Sequence, residues 1–201
     1  MKSMVYIKNY NSPKINKNEI LRYAKACSND ETLRLLDSCI SEAEGCFTYS
    51  LCYSRYAISV SGDEVDLGFS RVRSHSLAVC LKDCAEIILF GATVGSGIDR
   101  LIQKYSILSP TRAIILQALG SERVESLCDS FCNELSRENT IRPRFSPGYG
   151  DLPLELQRDI FETLDLTRKI GINLSDNLFM TPTKSVTAIV GIKKGINDEN
   201  S

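Results

Sequence analysis

The chain has 201 residues, with 24 lysines and arginines against 25 acids, for a formal net charge of −1. That balance argues against a general binder of nucleic-acid phosphates. A hydrophobic content of 43% and a charged content of 24% are values of a globular domain with one substantial core. No apolar run approaches the roughly 20 residues a helix needs to span a bilayer, and the N-terminus lacks the apolar stretch of a secretory signal. The expected compartment is the cytoplasm, where the eight cysteines stay reduced.

Met4–Ile7 reads as a short first strand, and residues 11–16, with Pro13, as a turn. Asn18 reads as the N-cap of a helix carrying Arg22, Tyr23 and Cys27. A second helix restarts at Asn29-Asp30, with Leu33, Leu36, Cys39 and Ile40 at helical spacing, and runs to about Ala43 before Gly45 ends it. From Phe47 the period becomes two. Phe47, Tyr49, Leu51 and Tyr53 alternate with polar neighbours, and residues 56–60 and 65–69 form a hairpin around Ser61-Gly62-Asp63. This predicts an antiparallel layer with one apolar face. Ser74 caps a short helix to Leu81 that holds His75, the single histidine, in its first turn. With no acid or nucleophile beside it in sequence, His75 reads as structural.

Glu86–Phe90 reads as a buried strand, followed by a glycine-rich turn, Gly91–Gly97, and a helix from Ile98 to Tyr105. Backbone amides in such turns can cradle phosphate. The spacing here is neither a dinucleotide nor a P-loop fingerprint, so close packing is the better account. Ser109-Pro110 starts the longest helix, to about Arg137. Gly120 either kinks it or admits a neighbouring chain. Glu122, Glu125 and Asp129 share one face, which is either solvated or turns one carboxylate toward a cation. Cys80/Cys84 and Cys128/Cys132 have a spacing unlike zinc or redox motifs and read as small buried hydrophobes, with no metal site.

Residues 141–153 hold three prolines and two glycines in thirteen positions, together with Arg142, Arg144, Phe145 and Tyr149. No regular element runs through such a segment. It is either a plain crossover between helices or a stiffened loop that offers a guanidinium and an aromatic to a ligand. Pro153 then opens a helix with Leu156, Ile160, Phe161 and Leu164 on its buried side. Leu178–Met180 and Val186–Ile192 read as two closing strands. The whole is an α+β fold, an antiparallel twisted sheet with packed helices, in one domain over residues 1–192 with a polar tail at 193–201.

Two groups of residues carry a family resemblance. The first is Arg144-x-x-x-Gly148-Tyr149, with Pro153 and the amphipathic segment 154–164 after it. The second is the series Ile170-Gly171-Ile172, Leu174-Ser175, Asn177, Met180, Pro182 and Ser185-Val186. In this order they resemble the activation domain of cobalamin-dependent methionine synthase, and in particular free-standing proteins built from that domain. The resemblance implies binding of S-adenosylmethionine by Arg144, Gly148 and Tyr149, with Glu125 as the counterpart of a ligand-binding glutamate on the long helix. It implies a partner, methionine synthase or another corrinoid protein, that carries cobalamin. It further implies a flavodoxin-type electron donor for the reductive methylation of cob(II)alamin. The chain itself supplies positioning and no acid–base catalyst. Two stretches depart from the family pattern, and its N-terminal segment with an acidic ligand residue has no clear match here. Gly150-Asp151-Leu152 replaces Pro-Ala-Cys after Gly148-Tyr149, and Ala188-Ile189-Val190 replaces a region with a Trp-Tyr pair. An adaptor of the same fold that docks a corrinoid protein without binding S-adenosylmethionine is the alternative.

Overall fold

The computed structural model describes residues 4–193; of the polar tail expected at 193–201, Lys193 ends the last strand and the rest lies outside the described residues. Four antiparallel strands form the central sheet: β1 (Tyr6–Tyr10), β2 (Tyr49–Ala57), β6 (Cys84–Thr93) and β9 (Ser185–Lys193), in the order β1-β2-β6-β9. Between β2 and β6 lie the short strands β3 (Ser59–Ser61), β4 (Glu64–Asp66) and β5 (Arg71–Arg73), which form their own small sheet. The predicted turn at Gly62-Asp63 joins β3 to β4.

The one-faced layer expected from the alternation is not what forms. Side chains on both faces of the central sheet are buried. Leu51, Ile88, Phe90, Ala92, Ala188 and Val190 face one core, while Cys52, Ile87, Leu89 and Ile189 face another. The first core is closed by α1 (Lys17–Ala24), α2 (Asp30–Ala43), α4 (Gly97–Leu108) and α5 (Pro110–Leu135). The second is closed by α3 (His75–Leu81), α6 (Leu156–Leu164), α7 (Leu166–Ile170) and the small sheet. The continuous apolar runs of β6 and β9 are the sequence signal of a strand covered on both sides.

Local chemistry places most element starts. Asn29 accepts from Thr32 N at 2.8 Å and Ser74 from Leu77 N at 3.1 Å, as predicted. The first helix is capped by Asn16, not Asn18, with Asn16 Oδ1 accepting from Glu19 N. The choice between the two asparagines is made from outside the helix, because Asn16 N is itself held by the carboxylate of Glu122 at 3.0 Å. The glycine-rich turn also begins later than expected. Gly91 stays inside β6, where an added Cβ would collide with the buried Leu166 side chain of α7. Of the two closing strands, the first (β8, Met180–Thr181) pairs with β7 (Asn173–Leu174) instead of β9.

α5 runs unbroken for 26 residues through Gly120. The glycine admits a neighbour: its Cβ would lie 3.0 Å from both Cγ and Cε of Lys184. Two residues on, the predicted acidic face breaks up. Glu122 is only 2% exposed and Arg123 is fully buried. They form a two-pronged pair, with Nε to Oε2 at 2.6 Å and Nη2 to Oε1 at 2.7 Å. Arg123 also donates to the carbonyls of Pro13 and Lys14, so the turn at 11–16 is clamped to the middle of α5. Breaking such a pair from one side leaves an uncompensated buried charge. Arg123→Met is therefore expected to cost about 3–5 kcal/mol in urea unfolding. The double change Glu122→Gln, Arg123→Met is expected to cost less than the single one.

Candidate functional site

The proline-rich segment after α5 lies along the open edge of β9. Lys193 N donates to Thr140 O at 2.9 Å and Arg142 N to Gly191 O at 2.8 Å. Phe145 and Ile189 exchange two backbone bonds, at 2.8 and 2.9 Å. From Ile141 to Phe145 the loop advances four residues while β9 advances three, from Ile192 to Ile189. The surplus residue falls beside Pro143, which has no amide to give to a ladder. Phe145 consequently packs toward the core of α3 and α6, while Arg144 lies against α5.

Arg144 Nη2 donates to Glu125 Oε2 at 2.9 Å and to Asp129 Oδ1 at 2.8 Å. Its Nη1 is buried and has no hydrogen-bond partner among the described residues. The guanidinium also borders Cys128. Burial pushes that thiol up to about 12 even with the cation beside it, so Cys128 is a neutral neighbour and the counter-charge comes from the carboxylates alone. The three charged side chains range from 24% to 64% exposed, so each surface pairing contributes about 1 kcal/mol or less. Their value is geometric, because they fix where the cation sits.

Gly148 has φ +83°, a left-handed backbone conformation, at a tight turn closed by Tyr149 N to Ser146 O. Tyr149 is 71% exposed and meets Phe145 edge to face, with ring centroids 5.7 Å apart. The structure thus brings Arg144 and Glu125 into direct contact, whereas Gly148 and Tyr149 lie further along the same loop and make no hydrogen bond to either. The sequence reading set Asp129 only in an acidic row. Its position four residues after Glu125, one turn along the same helical face, was the available signal for a second partner to the arginine.

The residues that depart from the family pattern have structural work of their own. Asp151 accepts from Ser74 Oγ at 2.6 Å, from His75 N at 2.8 Å and from Ser76 N at 3.1 Å, capping α3 from outside. Gly150 has φ +56°, and an added Cβ would stand 2.8 Å from Ser76 Oγ. Ala188, Ile189 and Val190 are fully buried and fill the two cores. His75, read as lacking an acid, has one in space: Nδ1 lies 2.9 Å from Asp63 Oδ1 across the small sheet. All eight cysteines are free, and no cluster of three or more metal-ligating side chains occurs among the described residues.

Residues 129–195 match the family described as the activation domain of vitamin B12 dependent methionine synthase. Over that third of its length this chain is similar to that domain. The matched segment starts at Asp129 and takes in Arg144, Gly148 and Tyr149, but stops short of Glu125. The fold agrees over almost the whole chain. A crystal structure described as the MetH reactivation domain bound to AdoHcy superposes with a TM-score of 0.67, covering 94% of this chain and 78% of that one at 16% identity. No curated protein sequence matches significantly. No helix among the described residues is long and apolar enough to cross a membrane.

Within this activation-domain fold, Asp151 carries a pH signature. Its bond from Ser74 is the largest cause holding its carboxyl below the ordinary 3.8, and the amides of Ser76 and His75 add to it. A depressed folded-state value gives stability that is present above 3.8 and lost as pH falls through the folded value. Asp151→Asn is therefore expected to flatten the acid limb of the melting temperature against pH relative to wild type. Circular dichroism melts of the two proteins check it.

Proposed function

We propose that this chain binds S-adenosylmethionine beside Arg144 and holds it for methyl transfer to a cobalamin carried on a partner, a methionine synthase or a related corrinoid protein. The observation that carries the reading is the unfinished hydrogen bonding of Arg144. A guanidinium anchored through one nitrogen, with a second buried nitrogen lacking an acceptor, is set up to take a carboxylate. S-adenosylmethionine differs from AdoHcy, which is bound in the matched structure, by its sulfonium methyl, and both carry an amino-acid carboxylate. The donor set therefore fits the ligand class.

The bound ligand would supply an electrophilic methyl group and leave as AdoHcy, and the partner's cobalamin, reduced by one electron from a flavodoxin-type donor, would supply the metal that accepts it. The chain's own residues do the positioning. Arg144 gives the counter-charge for the carboxylate. Glu125 and Asp129 keep the guanidinium from swinging and leave carboxylate oxygens for the ligand's cationic groups. Tyr149 presents an exposed ring as an apolar wall. Gly148 leaves the backbone bare where a ligand can approach. No proton has to move, so none of these groups needs a tuned pKa. Accurate placement is itself a large rate term in bringing two reactants together.

One observation favours the adaptor reading. The carboxylates of Glu125 and Asp129 already neutralise Arg144 from within the chain. Calorimetric titration with S-adenosylmethionine separates the two. Binding activity predicts saturable heat, weakened by about tenfold or more in Arg144→Ala through loss of a charge-assisted bond, and weakened also in Tyr149→Ala through loss of the ring. An adaptor gives no heat with millimolar ligand but still associates with a cobalamin-loaded partner.

A further inference from the structure

A second place in the molecule holds a cation, Lys184, whose contact on α5 lies one turn before that of Arg144. Lys184 stands between β8 and β9, where its backbone is fixed on two sides. Its carbonyl accepts from Val94 N at 3.1 Å, and the preceding Thr183 gives both its amide and its hydroxyl to Asp99 of α4, at 2.8 and 2.6 Å. From that anchor the side chain crosses α5 over Gly120, where any Cβ would stand 3.0 Å from its methylenes. The glycine therefore acts as a saddle that directs the ammonium group.

The ammonium group ends in a cleft of about 390 Å³ formed by α1, α4 and α5. Ile102, Ala113, Ile114 and Ala118 supply its apolar walls, with Tyr23 on one side. An ammonium has three donors, and among the described residues Lys184 Nζ has one hydrogen-bond partner, Ser121 Oγ at 3.1 Å. Among the described residues no carboxylate comes within ion-pairing distance of it. Asp99, the acid nearest in effect, is occupied with Thr183. Burial pulls the amine below its ordinary value of 10.5, and Asp99 only partly opposes this. A half-buried cation with no acid partner, surrounded by aliphatic carbon, calls for an anion that brings its own apolar body.

We propose that this cleft is a binding site for a small apolar carboxylate, its acid group on Lys184 Nζ and its hydrocarbon against Ile102, Ala113 and Ala118. The site rests on a different cation from the proposed function: Lys184 contacts Ser121, and Arg144 contacts Glu125 and Asp129 further along the same face of α5.

The test uses 4-phenylbutyrate and its uncharged analogue 4-phenylbutanol, titrated into the full chain and followed by calorimetry and by methyl shifts of Ile102, Ala113 and Ala118. Saturable binding of the acid is expected, with the alcohol weaker by about tenfold. Lys184→Met keeps the stem over Gly120 and removes the charge. It is expected to lose the preference for the acid, and Lys184→Arg to keep it. Lys184→Met removes a half-buried charge, so the variant is expected to melt no lower than wild type. Absence of saturable binding of the acid at millimolar concentration would overturn the proposal. So would equal affinity for acid and alcohol, or binding unchanged in Lys184→Met but abolished by Ile107→Ser or Leu108→Ser on the exposed corner between α4 and α5.

Discussion

The pair of backbone bonds between Phe145 and Ile189 is the constraint on which the candidate site depends. A free sheet edge invites adventitious pairing, and this protein covers the edge of β9 with its own loop. The same act aims two side chains. An extended chain sends neighbouring residues to opposite faces, so once Phe145 is committed to the α3–α6 core, Arg144 must face α5. The prolines then have a clear role. They cannot complete a regular ladder, and they limit the segment to the few backbone bonds that set this register. A loop of the same length without them would pay more conformational entropy to hold the same guanidinium.

Long-range pairing explains what was legible in the sequence and what was not. Elements set by local rules came through closely. Asn29 and Ser74 cap the helices predicted for them, Pro110 starts α5, and the turn at Gly62-Asp63 closes its hairpin. The misreadings share a cause. Asn16 took the cap from Asn18 because Glu122, more than a hundred residues away, holds its amide. Gly91 belongs to a strand because Leu166 needs the space above it. β8 begins at Met180, two residues later than the expected Leu178, because β7 sets its register. Neither Glu122 nor Leu166 is visible in a window of ten or twenty residues.

The candidate site was legible in the same uneven way. Arg144, Gly148 and Tyr149 were found as a spaced motif in a stiff loop, and that loop falls within the stretch matched by the family. The contact between Arg144 and Glu125 needed the chain to turn back on itself, and Asp129 entered with it. The face that reads as one acidic row is in fact divided by burial. Glu122 goes inward to clamp the N-terminal turn through Arg123, while Glu125 and Asp129 stay out to hold Arg144. Three residues of the same chemistry do two jobs, and only the depth of each position relative to the sheet distinguishes them.

The departures from the family pattern strengthen this picture of a fold that spends its local chemistry on placing one cation. Where the family loop has Pro-Ala-Cys, this chain has Gly150-Asp151-Leu152. The glycine lets the loop approach Ser76, the aspartate gathers three donors at the start of α3, and Leu152 is buried against α6. A proline at position 150 could not adopt the positive φ found there. The loop is thus held at one end by β9 and at the other by α3, with Gly148 and Tyr149 between two fixed points. A wall fixed at both ends has little freedom to move, and rigidity of that kind is what the proposed placement of a methyl donor for a partner would use.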